Sequence, residues 1–445
     1  MEYSAGRESY SDWAVRFAGE KIGRADLVPS GFPLVIDLVS GAISELALLF
    51  LYERYVKLKI DKEVQNTLNS YAHDLKEWFQ HLDKFELGWG EVIAEDIVGH
   101  AKVMRATVSP ATGCIYATRT IKRRLSTVVS LYRWALKSRY KSMVSEAARE
   151  SLEEVFSDPS SLYVQIQADE QQHVSLILPE QAKAILASLG KSASEMAALL
   201  PRKPWEQTTS ATQLAIIGSS RNRLAAEISL KAGLRISEVC ALKVSQFQDF
   251  VGREDLAETE VVKIKIKGKG GKTREADFSG DLIRQICEYI NGERSCLQKI
   301  LGMSTQKTLL LNPISSGKYA GSRTTPRTLQ RAFAKACLAV GASNLVRVST
   351  FNDSGKIAGS APKLIPKFVF HDLRHTYAIW TYYARKKSGD SEPWLYIQRQ
   401  LGHAHLDTTI RIYLAGTLEF EAHVSDVIMK KLNEKKEDFP LPATH

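Results

Sequence analysis

Apolar residues recur at three- and four-residue steps along two stretches of the N-terminal half of this 445-residue chain. Leu68, Tyr71, Leu75, Trp78, Phe79 and Leu82 form one stripe; Ile121, Leu125, Val128, Tyr132 and Leu136 form another. This spacing predicts amphipathic helices, and the helical pattern holds from about residue 43 to 145. Ahead of it, Ser11 to Lys21 is read as a short helix, after which Pro29, Gly31 and Pro33 break the chain. Residues 1–42 are therefore an N-terminal extension with no assigned role. An acidic stretch (Glu146, Glu150, Glu153, Glu154, Asp158) then meets Pro159 and a polar run through His173. The change of character predicts an interdomain linker over 146–176.

A second region, 177–435, opens at Leu178-Pro179-Glu180, with Pro at a first helical position. A helix from Arg221 is expected to end near Gly233. From Val261 to Lys267, Val262, Ile264 and Ile266 alternate with Lys263, Lys265 and Lys267, the pattern of a half-buried strand. Gly268, Gly270 and Gly271 supply a turn, and Thr273 to Phe278 returns as a hairpin partner. Thr325-Pro326 caps a helix to about Val340. The Ser-, Gly- and Pro-containing run 345–366 reads as a loop. Helices follow, the last from about Leu418 to Leu432, and 436–445 forms a frayed tail. The expected fold is mainly α with a small antiparallel β-sheet, a helical domain followed by a mixed α+β domain.

Composition narrows the class. Hydrophobic residues make up 44% of the chain, enough for real cores. No apolar run approaches the roughly 20 residues of a spanning helix, and the N-terminus lacks a basic start followed by an apolar core. Five widely spaced cysteines (Cys114, Cys240, Cys287, Cys296, Cys337) without a Cys-x-x-Cys pair argue against a disulfide framework or structural zinc, and predict a reducing cytoplasm. Sixty Lys and Arg against fifty Asp and Glu give a net charge of +10, with a pI near 9.1. That excess favours a polyanionic partner, since cations that neutralise phosphates release counterions. A solvated basic surface is the alternative, and charge alone does not separate nucleic acid from lipid.

Five local signatures then follow in order: Ala232-Gly233-Leu234-Arg235-Ile236-Ser237-Glu238; Lys269 on the glycine-rich turn; His371-Asp372-Leu373-Arg374-His375; Leu401-Gly402-His403; and Tyr413 after Thr408-Thr409. Each is ordinary alone. Arg235 could simply pair with Glu238, a turn lysine is usually solvated, and a lone His or Tyr in a helix is usually core. His371 and Arg374 are one helical turn apart. Asp and Glu are scattered among basic residues without a ligand set, and His403 and His405 are two apart, the wrong spacing for one helical face.

The combination Arg–Lys–His-x-x-Arg–Leu-Gly-His–Tyr, in this order and spacing, resembles the active-site signature of the tyrosine recombinases, or phage-integrase family. Neighbouring residues agree: Ala232 to Glu238, Gly268 to Lys272 and His371 to Thr376 resemble the family's Thr-Gly-Leu-Arg-Ile-Ser-Glu, Gly-Lys-Gly-x-Lys and His-x-Leu-Arg-His-Thr runs. In the N-terminal half, Thr67, Tyr71, Asp74, Leu75 and Trp78 resemble the first helix of the family's core-binding domain. Arg123-Arg124-Leu125-Ser126 through Tyr132-Arg133-Trp134 resemble its last. The resemblance covers about residues 45 to 430. It implies a core-binding DNA-binding domain over 43–145 and a catalytic domain over 177–435.

The resemblance also implies a chemistry that these residue types suit. Attack on a phosphodiester builds negative charge on the phosphoryl oxygens, which Arg235 and Arg374 would meet with forks of donors and His403 with one more. Tyr413 would be the nucleophile. A free phenol, with a pKa of about 10, is mostly protonated, and His371 is the expected base or orienting group. Lys269, or its rival Lys272, would protonate the leaving 5′-oxygen. The product would be a 3′-phosphotyrosine that keeps the bond energy, so neither metal nor other cofactor is expected. Expected partners are double-stranded DNA with paired sites, three further copies of the chain in a DNA-bound tetramer, and accessory DNA-bending proteins. A nucleoid-associated place in the cytoplasm and service to a mobile element go with that reading. Arg123, Arg124, Lys272 and Arg411 are candidate DNA contacts, Arg123 and Arg124 because their basic helix could follow a phosphate backbone.

Three departures stand out: nine residues between His403 and Tyr413 where many members have eight, Phe370 in place of a Pro before the His box, and insertions near 189–216 and 345–366. Two other functions stay open. A type IB-like topoisomerase would relax plasmid DNA without a specific site. A regulator that kept the fold and lost catalysis would tolerate Tyr413→Phe.

Overall fold

The computed structural model describes residues 12–19, 28–57, 62–110, 112–157, 175–200, 210–253, 255–268, 271–303, 306–352 and 357–437. Lys269, at the hairpin tip, lies outside the described residues, as does the side chain of Arg411. The chain divides into two compact units: residues 1–170 with 347–362, and residues 171–346 with 363–445.

The first unit is built on β1 (Trp13–Phe17), β2 (Pro33–Asp37), α1 (Glu45–Lys57), α2 (Lys62–Lys84), α3 (Ala94–Ala106), α4 (Thr118–Ala135) and α5 (Glu146–Ser157). The stripes read from the sequence are buried: Leu68, Leu75, Trp78 and Leu82 of α2 meet Ile121, Leu125, Val128 and Tyr132 of α4 in one core. Two readings are corrected here. The segment expected as a short helix from Ser11 contains the strand β1, paired antiparallel with β2 from Trp13↔Asp37 to Phe17↔Pro33. The reason is the turn at Gly31 (φ +79°), which returns Phe32, Leu34 and Val35 into the helical core. The acidic stretch expected as linker begins instead with α5, because Ala148 and Leu152, one turn apart, bury against the same core. Residues 158–174 lie outside the described part.

The basic face of α4 is partly turned inward. Arg123 pairs with buried Asp74 of α2. Arg124, mostly covered, lies 3.9 Å from Asp74 and 3.6 Å from Glu77, with its guanidinium over the Tyr116 ring.

The second unit comprises α6 (Pro179–Ser188), α7 (Ala193–Leu199), α8 (Ala211–Ile217), α9 (Arg221–Ala232), α10 (Ile236–Ala241), β3 (Val261–Lys267), β4 (Thr273–Ser279), α11 (Gly280–Tyr289), α12 (Ser295–Leu301), α13 (Pro326–Ala339), β5 (Ser343–Phe351), β6 (Ile357–Pro366), α14 (Asp372–Lys387), α15 (Pro393–Leu401) and α16 (Leu406–Glu437). The outer part of β5 and β6 falls in the first unit's residue set. The β3–β4 hairpin forms in the expected register, Val261↔Ser279 to Lys267↔Thr273, with Val262, Ile264 and Ile266 buried and the three lysines exposed. The run 345–366 is not a loop. It forms a third two-stranded sheet, β5 with β6, for which the β-branched residues Val346, Val348 and Thr350 suit the extended backbone. The last helix starts at Leu406, so Tyr413 lies inside it rather than ahead of it. Among the described residues no helix is long and apolar enough to cross a membrane. The expected class, mainly α with small antiparallel sheets, is what the chain adopts.

Candidate active site

Five elements of the second unit, α9, β4, α14, α15 and α16, pack together and gather the chemistry-bearing residues. Helix α9 ends at Gly233 in the left-handed conformation (φ +68°). A Cβ there would come within 2.6 Å of the Tyr377 ring and 2.8 Å of Leu401, so the turn accepts only glycine. The chain then reverses to present Arg235 at the N-cap of α10, where Glu238 accepts from the Arg235 backbone N–H at 2.8 Å.

Glu238 organises the cationic side of the site. It is buried, and its two oxygens accept from Nη1 and Nη2 of Arg274 at 2.7 and 2.9 Å. Arg235 Nη1 adds a bond at 3.1 Å, and Arg374 Nη1 lies 3.7 Å away. Burial opposes ionisation of this carboxyl, but the Arg274 bonds and charge, the Arg235 amide and Arg374 outweigh it and hold it below its usual range. Arg274 was not singled out by the sequence. It stands at an inward-leaning position of β4, and only Glu238 on another element reveals its purpose.

Arg374, on α14, is almost wholly buried. Its Nη1 donates to the Gly233 carbonyl (2.8 Å) and its Nη2 to the Leu401 carbonyl (2.7 Å), so the ends of α9 and α15 hold the fork in place. Burial, with the nearby charge of Arg235, lowers this guanidinium to about 10. Gln400, also buried, ties the same elements: it donates to Ala232 and Asp277 carbonyls at 3.0 Å each and accepts from the Asp277 N–H at 2.8 Å.

Helix α15 closes at Gly402 (φ +67°), and His403 follows. Arg374 Nη2 lies 3.2 Å from His403 Nε2 and Thr409 Oγ1 lies 2.9 Å from Nδ1. A guanidinium only donates, so Nε2 accepts and Nδ1–H donates to Thr409. Burial first, then the charges of Arg374, Arg235 and Arg274, push this imidazole down to about 4, so it is neutral at pH 7.

Tyr413 is buried on α16. Its ring is parallel to that of His403, at a centroid distance of 6.2 Å and 7° between planes. Its hydroxyl is 3.2 Å from Nδ1 of His375. Burial raises the phenol above its usual value, while the charges of Arg374 and Arg235 pull the other way.

The structure thus brings Arg235, Arg374, His403 and Tyr413 together. His371 stands exposed at the N-cap of α14, its ring edge-on to His375 at 4.6 Å between centroids. Lys272 is exposed on the hairpin, its carbonyl accepting from Gly268 N–H at 2.7 Å. Sequence reasoning passed over His375, Thr409, Gln400 and Arg274. The first two stood in the quoted motifs; the other two carried no signal. Among the described residues no cluster of His, Cys, Asp and Glu could hold a metal ion.

Residues 206–419 match the model of the Phage integrase family. Residues 52–139 match that of the Phage integrase, N-terminal SAM-like domain. Tyrosine recombinase XerC of Anoxybacillus flavithermus is 23% identical over 353 residues, 79% of this chain and 88% of that protein. Among solved structures, XerH site-specific recombinase bound to palindromic difH substrate in a post-cleavage complex aligns with a TM-score of 0.44 at 16% identity, covering 86% of this chain and 89% of that one. A lambda integrase dimer bound to a COC′ core site gives 0.45 at 14% identity, covering 88% and 96%.

Proposed function

Because this chain belongs to the tyrosine-recombinase (phage integrase) family of site-specific DNA recombinases, we propose that it cuts and rejoins DNA through a 3′-phosphotyrosine on Tyr413. The observation that carries this reading is the convergence of two guanidiniums, Arg235 and Arg374, on a buried tyrosine whose phenol feels both charges. The phosphodiester's non-bridging oxygens take the free N–H groups of the two forks, and the donor that Arg374 gives His403 in the free protein passes to a phosphate oxygen. Released from Arg374, Nε2 of His403 takes up a proton beside the anionic phosphoryl group and donates to one of its oxygens. Lys269 or Lys272, both on the hairpin loop, protonates the departing 5′-oxygen. The bond energy is kept in the phosphotyrosine, so rejoining needs no outside energy source and no metal.

Integration and excision of a mobile element by four protomers on paired DNA sites is the biological form of this reaction that we propose. Leu414 and Leu418, exposed on α16, support a contact between protomers there. Arg123, Arg124 and Arg411 remain proposed DNA contacts, Arg123 the better placed because it is half exposed beside its Asp74 partner.

The test is a pool of nicked duplexes of random sequence, from which the full chain selects those it binds covalently. A covalent adduct with wild-type protein and none with Tyr413→Phe is expected. An adduct undiminished in Tyr413→Phe, or none from any duplex the protein binds, would remove the nucleophile assignment.

A further inference from the structure

Resting on the reading of Tyr413 as nucleophile, we infer that His375, not His371, is the base that takes the phenol proton. His375 Nδ1 faces the Tyr413 oxygen at 3.2 Å, and the ring centroids are 5.4 Å apart. His371 is at the exposed start of α14, with its ring against His375. The other groups around the phenol do not suit the task. Arg235 and Arg374 can only donate, and His403 has its Nδ1 engaged by Thr409 and its Nε2 engaged by Arg374 in the free protein and by the phosphoryl group in the proposed reaction.

Helix geometry holds the pair. His375 follows Arg374 directly, so the turn that sends Arg374 into the core sends His375 toward α16. One turn further along each helix, Gly416 of α16 meets Ile379 of α14: a Cβ on Gly416 would come within 2.5 Å of Ile379 Cδ1. His375–Tyr413 and Ile379–Gly416 are successive rungs of one helix contact, four residues apart on α14 and three on α16. The glycine permits the close approach that brings imidazole to phenol. Burial keeps that phenol protonated at rest, so the reaction needs an acceptor within reach.

In the step, the Oη–H bond breaks and its proton goes to His375 Nδ1 as the Oη–P bond forms. The P–O5′ bond breaks, and the 5′-oxygen leaves with the electron pair and takes a proton from the lysine acid of the proposed reaction. On rejoining, the 5′-hydroxyl returns its proton to the now neutral lysine as it attacks phosphorus, Tyr413 departs with the electron pair of the Oη–P bond, and the imidazolium returns its proton to the phenolate.

The experiment uses the full chain and the nicked duplex recovered from the random-sequence selection. His375→Ala and His375→Asn are compared with His371→Ala for the rate of adduct formation, with duplex binding by gel shift and melting temperature as checks on folding. Asn can keep a hydrogen-bond acceptor near the Nδ1 position without serving as a base. The expected result is a fall of about 10²–10⁴-fold for both His375 variants and a smaller one for His371→Ala. A fluorinated tyrosine of lower pKa at position 413 should restore at least tenfold of the rate lost in His375→Asn, because an ionised phenol needs no base. A wild-type rate in His375→Asn, or no restoration in a folded, duplex-binding His375→Asn protein, would overturn the inference. An adduct persisting in Tyr413→Phe would overturn instead the nucleophile reading beneath it.

Discussion

Asp74 in the helical unit and Glu238 in the second unit are both buried carboxylates among arginines, and they differ in how their oxygens are used. Asp74 has Arg123, Arg124 and Thr127 around it, but its Oδ2 takes the bonds from Arg123 and Thr127 while Oδ1 has no hydrogen-bond partner and lies 3.9 Å from Arg124 Nε. Burial therefore wins over the neighbouring charges and its pKa is raised. At Glu238 the bidentate Arg274, the Arg235 amide and the Arg374 charge reverse the balance, and its pKa is lowered. Counting charges does not distinguish the two; satisfying both oxygens does. The helical unit uses an ion pair to join two helices. The second unit uses one to fix the positions of Arg235 and Arg374.

The largest effect that would test this contrast is Glu238→Gln. Leaving Arg274, Arg235 and Arg374 without their common anion should cost about 3–5 kcal/mol in denaturant unfolding, the usual cost of breaking a buried pair, and should abolish adduct formation even where the protein folds. A loss below about 1 kcal/mol would erase the distinction.

Acid sharpens it. His81 and His100 in the helical unit are held neutral, down to about 4 and about 3, first by burial. Below pH 6.5 the unfolded chain binds protons that the folded unit refuses, so stability falls as pH drops from 6.5 toward those values. The slope is about 1.4 kcal/mol per histidine per pH unit. Glu238 acts lower: its stabilisation is complete above 4.5 and is lost only as pH falls through its depressed folded value. His403 of the second unit, pushed down to about 4, adds to the same slope, so melting curves between pH 7 and 5 should show a strong loss that His100→Leu reduces and to which the Glu238 carboxylate itself contributes nothing.

Gly402→Ala comes next. At φ +67° it places a Cβ 2.7 Å from Arg274 Cδ, so it should cost about 1–2 kcal/mol and loosen Arg274 on Glu238. A milder fall in adduct rate than in Glu238→Gln is expected; no change would show that Arg274 does not need its present place. Asp74→Asn should be the smallest, under about 1 kcal/mol at pH 7, because the carboxylate it removes is already disfavoured by burial.

How far the sequence reaches follows from the same chemistry. The α2 and α4 stripes and the β3–β4 register were legible because periodic burial leaves its period in the residues. Order and spacing singled out Arg235, Arg374, His403 and Tyr413, which the structure brings together, but gave no reason to prefer His375 over His371. Arg274 and Gln400 were not legible, since each is defined by a partner more than thirty residues away. The strand β1 was misread because a five-residue strand carries too few positions to set period 2 against period 3.6. The 345–366 run was misread because its small and polar residues imitate a loop while its backbone pairs as a hairpin.

The alternation in β3 limits how the hairpin can change over evolutionary time. With Val262, Ile264 and Ile266 inward and three lysines outward, a slip of one residue against β4 would turn every lysine into the core, whereas a slip of two keeps each face and moves a strand by about 7 Å. Length changes that keep the faces of the hairpin should thus arrive in even numbers, and odd ones should be absorbed in the loop between the strands. Parity, rather than sequence, is what this hairpin has to inherit.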